Sequence, residues 1–340
     1  MNCHLLVPDL FWPAAAGGEP CRDLDLPALE TILARGYAIP SGGISLERWL
    51  AATYALAKEQ LELPLAPFAL RGDGGEPGDH VWMHADPVHL KVHGDRLILA
   101  EASRLAITAD EARGFIAALN SQLAPEGIEF TAPHPQRWYV RLTNMPRLKT
   151  TPTTEVTGRN VDSFLPAGDD GARWRRTFNE AQMLLHAHPG NAAREARGAL
   201  TVNSVWFWGA GRARALTSPY DAVWASHPLP AGLAATASSI VHPFPSSADL
   251  YLKEKNAKPA LVVATTLPTT AYGDIASWRD AVAELERDWF APLLAALKNG
   301  PLQYLTLHGL GPDHGYCATL ERSSLLRFWR RRRPLHAYAS

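Results

Sequence analysis

Cysteine is scarce: Cys3, Cys21 and Cys317 are the three in 340 residues. An odd, widely spaced set builds neither a disulfide framework nor a zinc knuckle, and points to a reducing, cytoplasmic setting. Long apolar runs are missing too. No uninterrupted apolar stretch reaches about 18 residues, so no membrane span is expected. The short apolar start meets Pro8 and Asp9 early and has no basic lead, which makes a poor signal peptide. Neither sign of charge is in excess. Lys and Arg number 33 against 34 Asp and Glu, a net charge of −1. No global field therefore draws the chain to nucleic acid or to a membrane. The one basic run, four arginines at 330–333, is short and has no basic excess behind it. It reads as a solvated end or a contact for an acidic partner. Also absent are a P-loop, a strand-linked Gly-x-Gly-x-x-Gly, a Gly-x-Ser-x-Gly elbow and a Cys-x-x-Cys pair.

What is present suits a globular chain of one elaborated domain or two, with 46% hydrophobic and 20% charged residues. Residues 4–7 read as a buried strand with Asp9 at its carboxyl end. A helix follows, with Asp25 as N-cap, Leu26, Leu29, Ile32 and Leu33 on one face, and Gly36 as its stop. A Pro40-Ser41-Gly42-Gly43 loop leads to a second helix capped by Ser45. Strand, helix, loop and helix are an α/β opening. The texture then changes. Residues 81–93 and 96–100 form a hairpin pattern around Gly94-Asp95. Thr108-x-x-Glu111 is a capping box, and strands at 128–132 and 137–143 follow. This is an α+β insertion with its own antiparallel sheet, placed at 76–197 between core segments 1–75 and 198–340. Strand patterns then recur near 220, 240, 260 and 305. The long amphipathic segment 277–297 should kink at Pro292.

The stretch that organises the chain is 186–211. Its first half gathers His186, His188, Asn191, Arg194 and Arg197 around Pro189-Gly190. Its second half, 202–208, reads as a buried strand stopped by Gly209-Ala210-Gly211. His188, Asn191, Arg194 and Arg197 can bind a phosphorylated or carboxylated ligand, since the guanidinium fork fits either anion; a structural cluster explains them equally well. Asp9 at a strand end is a candidate metal ligand or a turn residue. Asp313-His314 after a late strand is a candidate metal pair or a loop tip. Ser41 and Ser45 are candidate nucleophiles or simply a turn residue and a cap.

The pattern His188-Pro189-x-Asn191-x-x-Arg194-x-x-x-Gly198, then Val202-Asn203-Ser204 and Gly209-Ala210-Gly211, resembles the archaeal-type cofactor-independent phosphoglycerate mutases of the alkaline-phosphatase superfamily. A bacterial branch of phosphoglycerate-mutase-like or Rpf-type regulatory proteins is similar at Asp86-Pro87-Val88-His89-Leu90, Arg137-Trp138-Tyr139 and Phe328-Trp329-Arg330. The resemblance implies a three-layer alkaline-phosphatase-like α/β core with an inserted α+β domain that covers substrate. It implies Asp9, Asp313 and His314 as ligands of a divalent metal, manganese or zinc, and Ser41 or Ser45 as the phosphate-carrying serine. It implies Arg194 and Arg197 as a substrate grip. Two departures matter. Residues 264–274, where the family carries Asp-x-x-Gly-His, hold no histidine. The serine loop lacks the family's Arg-Pro-Gly-Ser. Two metals need about six to eight protein ligands, and about half can be named. The expectation is a degenerate two-metal site, holding a divalent metal (manganese or zinc) or none, on a protein that binds a small phosphorylated or carboxylated ligand in a regulatory role. The alternatives are an active metal-dependent phosphomutase or phosphatase, and a protein-interaction module.

Overall fold

The computed structural model describes residues 1–56, 62–254 and 259–338. Its contacts divide the chain into two units, Met1–Leu50 with Leu216–Ser340, and Ala51–Ala215. In chain order the strands are β1 (Asn2–Val7), β2 (Tyr37–Gly42), β3 (Val81–His93), β4 (Arg96–Ala100), β5 (Ile128–His134) and β6 (Arg137–Leu142). They continue as β7 (Ser204–Arg212), β8 (Ala222–Trp224), β9 (Ile240–His242), β10 (Pro259–Val263), β11 (Tyr304–Gly309) and β12 (His314–Glu321).

The first unit is a seven-stranded sheet in the order β2-β12-β11-β1-β10-β8-β9. The pairings from β11 to β9 are parallel, while β12 runs antiparallel to both β11 and β2. Alternation along each strand sorts the side chains. Cys3, Leu5, Val7, Val262, Leu305, Leu307 and Leu320 lie in the main core, with Leu29 and Ile32 of one helix, Trp278 and Val282 of another, and Leu293 of a third. The opposite face carries His4, Leu6, Thr306, His308 and Cys317. Helices Leu46–Thr53 and Pro228–Thr236 lie on that side; the first sets Trp49 against His308 and the second packs on β8 and β9. Helix, sheet and helix make the three-layer α/β core.

Three local outcomes differ from the sequence reading. The Pro40-Ser41-Gly42-Gly43 segment begins as the edge strand β2, where a proline and a glycine cost no central ladder bonds. Asp25 does not cap the first helix. Leu26 holds the N-cap position of Pro27–Arg35 without a side-chain bond. Glu286 caps that helix from far along the chain, accepting from the amides of Ala28 at 2.5 Å and Leu29 at 3.0 Å. Even so, burial pushes the Glu286 carboxyl up. Glu286 opens a π-helical turn, Glu286–Phe290, between helices Ile275–Leu285 and Ala291–Asn299. Pro292 has no N–H for the Asp288 carbonyl and clashes with it, so the expected kink takes the form of a widened turn.

The second unit is an antiparallel sheet, β4-β3-β6-β5, with β7 also paired to β3. Helix Ala109–Leu123 begins at the Thr108–Glu111 capping box and packs on β5, while helix Gly171–His186 packs on β7. Strand β7 therefore belongs to this sheet and not to the α/β core, where the sequence reading placed it. The reason lies in what it packs against. Trp206 and Phe207 pack edge-on against Phe178 and Trp174 of helix Gly171–His186. Gly209 does not stop the strand. It takes φ +76° where the β3 register shifts, and β7 runs on to Arg212.

Candidate functional site

In the first unit the expected catalytic residues lie near the carboxyl ends of β1 and β11, where open α/β sheets place ligands. Asp9 sits two residues past β1 in a left-handed turn, φ 56°, which lets Leu10, Phe11 and Trp12 enter the core. Its carbonyl accepts the Trp278 indole N–H at 2.8 Å. Asp313 is exposed, and its carboxylate accepts the Ala14 amide at 3.0 Å. The Asp313 carbonyl accepts from Gly43, and the Gly311 carbonyl accepts from Ile44. These bonds lace the β2 exit to the β11–β12 turn. A Cβ on Gly43 would come within 1.9 Å of the Pro312 carbonyl oxygen, so only glycine passes there. His314 opens β12 beside the Phe11 ring, 5.2 Å between centroids. Its buried Nε2 has no hydrogen-bond partner among the described residues, and burial lowers its pKa. Ser45 accepts the Arg48 amide at 3.3 Å as the helix cap.

Ser41 faces a cavity of about 310 Å³ that Gly43, Trp49, His308, Tyr316 and Cys317 also line. The strand register brings them together: His308 is opposite Cys317, Cys317 opposite Ile39, and Ser41 opposite Gly315. Behind the cavity, His4 Nδ1 and His308 Nε2 are 3.2 Å apart, and one imidazole donates to the other. Burial lowers both pKa values, and with the help of His4 it takes His308 to about 4. Burial also raises the Cys317 thiol. At neutral pH both imidazoles and the thiol are uncharged. Among the described residues no Lys or Arg lines this cavity. A phosphoryl group carried on Ser41 would find no cation among these lining residues to balance its charge.

Among the described residues no three His, Cys, Asp or Glu side chains form a group able to hold a metal ion. Asp313 Oδ2 accepts the Ala14 amide. Asp274, the acid in the stretch that lacks the family histidine, caps helix Ile275–Leu285 through Ser277 N at 3.1 Å. Among the described residues these donors assemble no two-metal centre.

In the second unit the organising stretch is mostly structural. His188 Nδ1 accepts the Gly190 amide and starts helix Pro189–Ala196. Asn191 bonds the Val202 amide and carbonyl at 2.8 Å each, and also the Leu185 carbonyl at 2.6 Å. Arg194 is fully buried, donating to the Leu200 carbonyl at 2.7 Å, to Glu111 at 2.8 Å and to the Leu105 carbonyl. Arg197 reaches the other Glu111 oxygen at 2.5 Å. Burial pushes the Glu111 carboxyl up, but the Thr108 amide, Arg197 and Arg194 outweigh it and hold it at about 2. These groups tie the stretch to the capping box of helix Ala109–Leu123. Two other cations of this unit stand at a cavity. Arg147 and Lys149 line a cavity of about 320 Å³ with Glu62, Leu148, Asp169 and Ala210. Arg147 is paired only at the surface, with Asp169 at 3.1 Å. Neither the His4–His308 pair nor this cavity was legible in the sequence. Both depend on which strands and loops become neighbours.

No family model matches the chain. The 2,3-bisphosphoglycerate-independent phosphoglycerate mutase of Methanosarcina mazei is 28% identical over 207 residues, which cover 56% of this chain and 50% of the relative. The Methanosarcina acetivorans enzyme of the same name is 33% identical over 109 residues, 32% of this chain and 28% of the relative. Among solved structures, the cofactor-independent phosphoglycerate mutase of Thermoplasma acidophilum matches with a TM-score of 0.52 at 15% identity, over 100% of this chain and 94% of that one. A Pyrococcus horikoshii protein matches with a TM-score of 0.54 at 13% identity, over 94% of this chain and 87% of that one.

The chain resembles the cofactor-independent phosphoglycerate mutases.

By sequence it spans about half or less of the length of the relatives it matches. The structural likeness establishes the fold, an alkaline-phosphatase-like α/β core with an inserted α+β unit. Function resides in the site and not in the fold.

Proposed function

We propose that this protein is a phosphoglycerate-mutase-like ligand-binding protein that does not carry out two-metal phosphoryl transfer. Its role is regulatory, through a small phosphorylated or carboxylated molecule. The observation that carries the reading is that, among the described residues, Asp9, Asp313 and His314 form part of no group of three side chains able to hold a metal ion. The uncharged surroundings of Ser41 support it. The cavity beside Arg147 and Lys149 supports the ligand class. At about 320 Å³ it suits a small molecule, and it offers two cations at its wall. The surface pair between Arg147 and Asp169 costs little to exchange for a ligand anion.

The test is titration of 3-phosphoglycerate and of inorganic phosphate into wild type and into R147A/K149A, beside a mutase assay with manganese. Charge-assisted bonds contribute about 1.5–3 kcal/mol each, so losing both cations should weaken binding about a hundredfold or more. No interconversion of 2- and 3-phosphoglycerate is expected. Manganese-dependent turnover that S41A abolishes would establish the active phosphomutase instead. Binding that R147A/K149A leaves intact would move the ligand to another site.

A further inference from the structure

Residues 326–333 read Leu-Arg-Phe-Trp-Arg-Arg-Arg-Arg, five cations with no acid among them. The structure adds what the sequence alone conceals: this segment is fastened down with its apolar side chains outward. Leu326 is 71% exposed, Phe328 77% and Trp329 66%. The two rings meet edge to face, 5.4 Å between centroids. Beneath them the backbone is tied. The Phe328 amide donates to Leu326 O at 2.8 Å and the Arg330 amide to Arg327 O at 3.0 Å. The Arg327 guanidinium donates to Arg35 O at 3.2 Å and the Arg330 guanidinium to Gly36 O at 3.0 Å, both at the end of helix Pro27–Arg35. Arg35 returns a bond to Leu325 O at 2.9 Å. Arg333 lies over the Tyr338 ring at 5.8 Å. Arg331 and Arg332 are exposed, and Glu30 is the acid whose charge reaches Arg332.

A rigid turn that holds three large apolar side chains in water needs a partner, since such groups are normally left exposed only where something covers them. We infer that this turn is a peripheral docking wedge for an anionic lipid surface. Three features favour lipid. The turn's charge is uniformly basic, complementary to acidic headgroups, although the chain's net charge is −1. Tryptophan, phenylalanine and leucine beside arginine match the headgroup–acyl boundary, which takes rings inward and cations outward. Three side chains on one turn also fall short of the roughly 800 Å² per partner of a stable protein interface. The contact is peripheral: no helix of the described residues is long and apolar enough to cross a membrane.

The test is co-sedimentation of the full chain with phosphatidylcholine vesicles and with phosphatidylcholine–phosphatidylserine vesicles, for wild type, R331A/R332A and F328S/W329S. All four positions are exposed, and matched melting curves confirm that the variants fold. Wild type should bind the anionic vesicles and not the neutral ones, less tightly as salt rises. Losing two surface cations should lower the partition coefficient about thirtyfold. F328S/W329S should lower it as well. Absence of binding, equal binding to both vesicles, or variants that match wild type would overturn the inference. So would tighter binding to polyglutamate or duplex DNA than to the anionic vesicles, which would assign the turn to a polyanion.

Discussion

R194M should destabilise the protein by about 3–5 kcal/mol, although it removes a residue that by type and spacing reads as a substrate grip. Arg194 is fully buried and serves the Leu200 carbonyl, the Leu105 carbonyl and Glu111 at once. Methionine fills most of the volume but strands two carbonyls and half of a buried ion pair. R197A, at an exposed position on the same carboxylate, should cost no more than about 1 kcal/mol. Urea titrations at neutral pH measure both. The pH dependence has a defined sign. Glu111 is held at about 2 in the folded chain, against about 4.3 when unfolded. Its stabilising contribution is fully present above the unfolded value and is lost as pH falls toward about 2. R194M should flatten that acid limb. An R194M protein as stable as wild type but unable to bind ligand would return Arg194 to the substrate-binding role.

Expected at the core sheet is a loss of about 3–5 kcal/mol for W278A. Trp278 is fully buried, packs edge-on against Trp12 at 5.3 Å, and donates to Asp9 O at 2.8 Å. The truncation opens a cavity beneath the sheet and leaves that carbonyl without its indole donor. The left-handed turn at Asp9, which already holds a non-glycine residue at positive φ, loses a clamp. W329A offers the contrast. Its ring stands in water, so its stability change should stay within about 0.5 kcal/mol. Denaturation that finds W278A within 1 kcal/mol of wild type would show that the Asp9 turn is held by something else.

Much of the fold was legible because local signals and tertiary packing agree. Strands β3 and β4 fall on the alternating segments 81–93 and 96–100, and the Thr108–Glu111 capping box forms as its spacing predicts. Where they disagree, long-range contacts prevail. Glu286 displaces Asp25 as a helix cap because two buried amides at 2.5 and 3.0 Å need a carboxylate that only the π-helical turn can bring. Strand β7 has the buried, aromatic look of a core strand, but its partner β3 and the helix above it lie in the inserted unit. The site was harder to read. A histidine, an asparagine and two arginines around a Pro-Gly turn carry the same letters whether they bind an anion or a backbone. Only hydrogen-bond partners separate the two, and here Asn191 and Arg194 bond Val202, Leu200 and Leu105. His4 and His308 lie some 300 residues apart in sequence, with no spacing to announce their 3.2 Å contact.

Metal content separates a ligand-binding protein from a two-metal enzyme. Purified wild type, D9A and D313A would be equilibrated with manganese and with zinc, freed of excess ion, and analysed by elemental mass spectrometry. Substoichiometric metal in wild type, with no difference among the three proteins, is expected. One or two ions per chain, lost in D9A and D313A, would contradict it and assign Asp9 and Asp313 to a working metal centre.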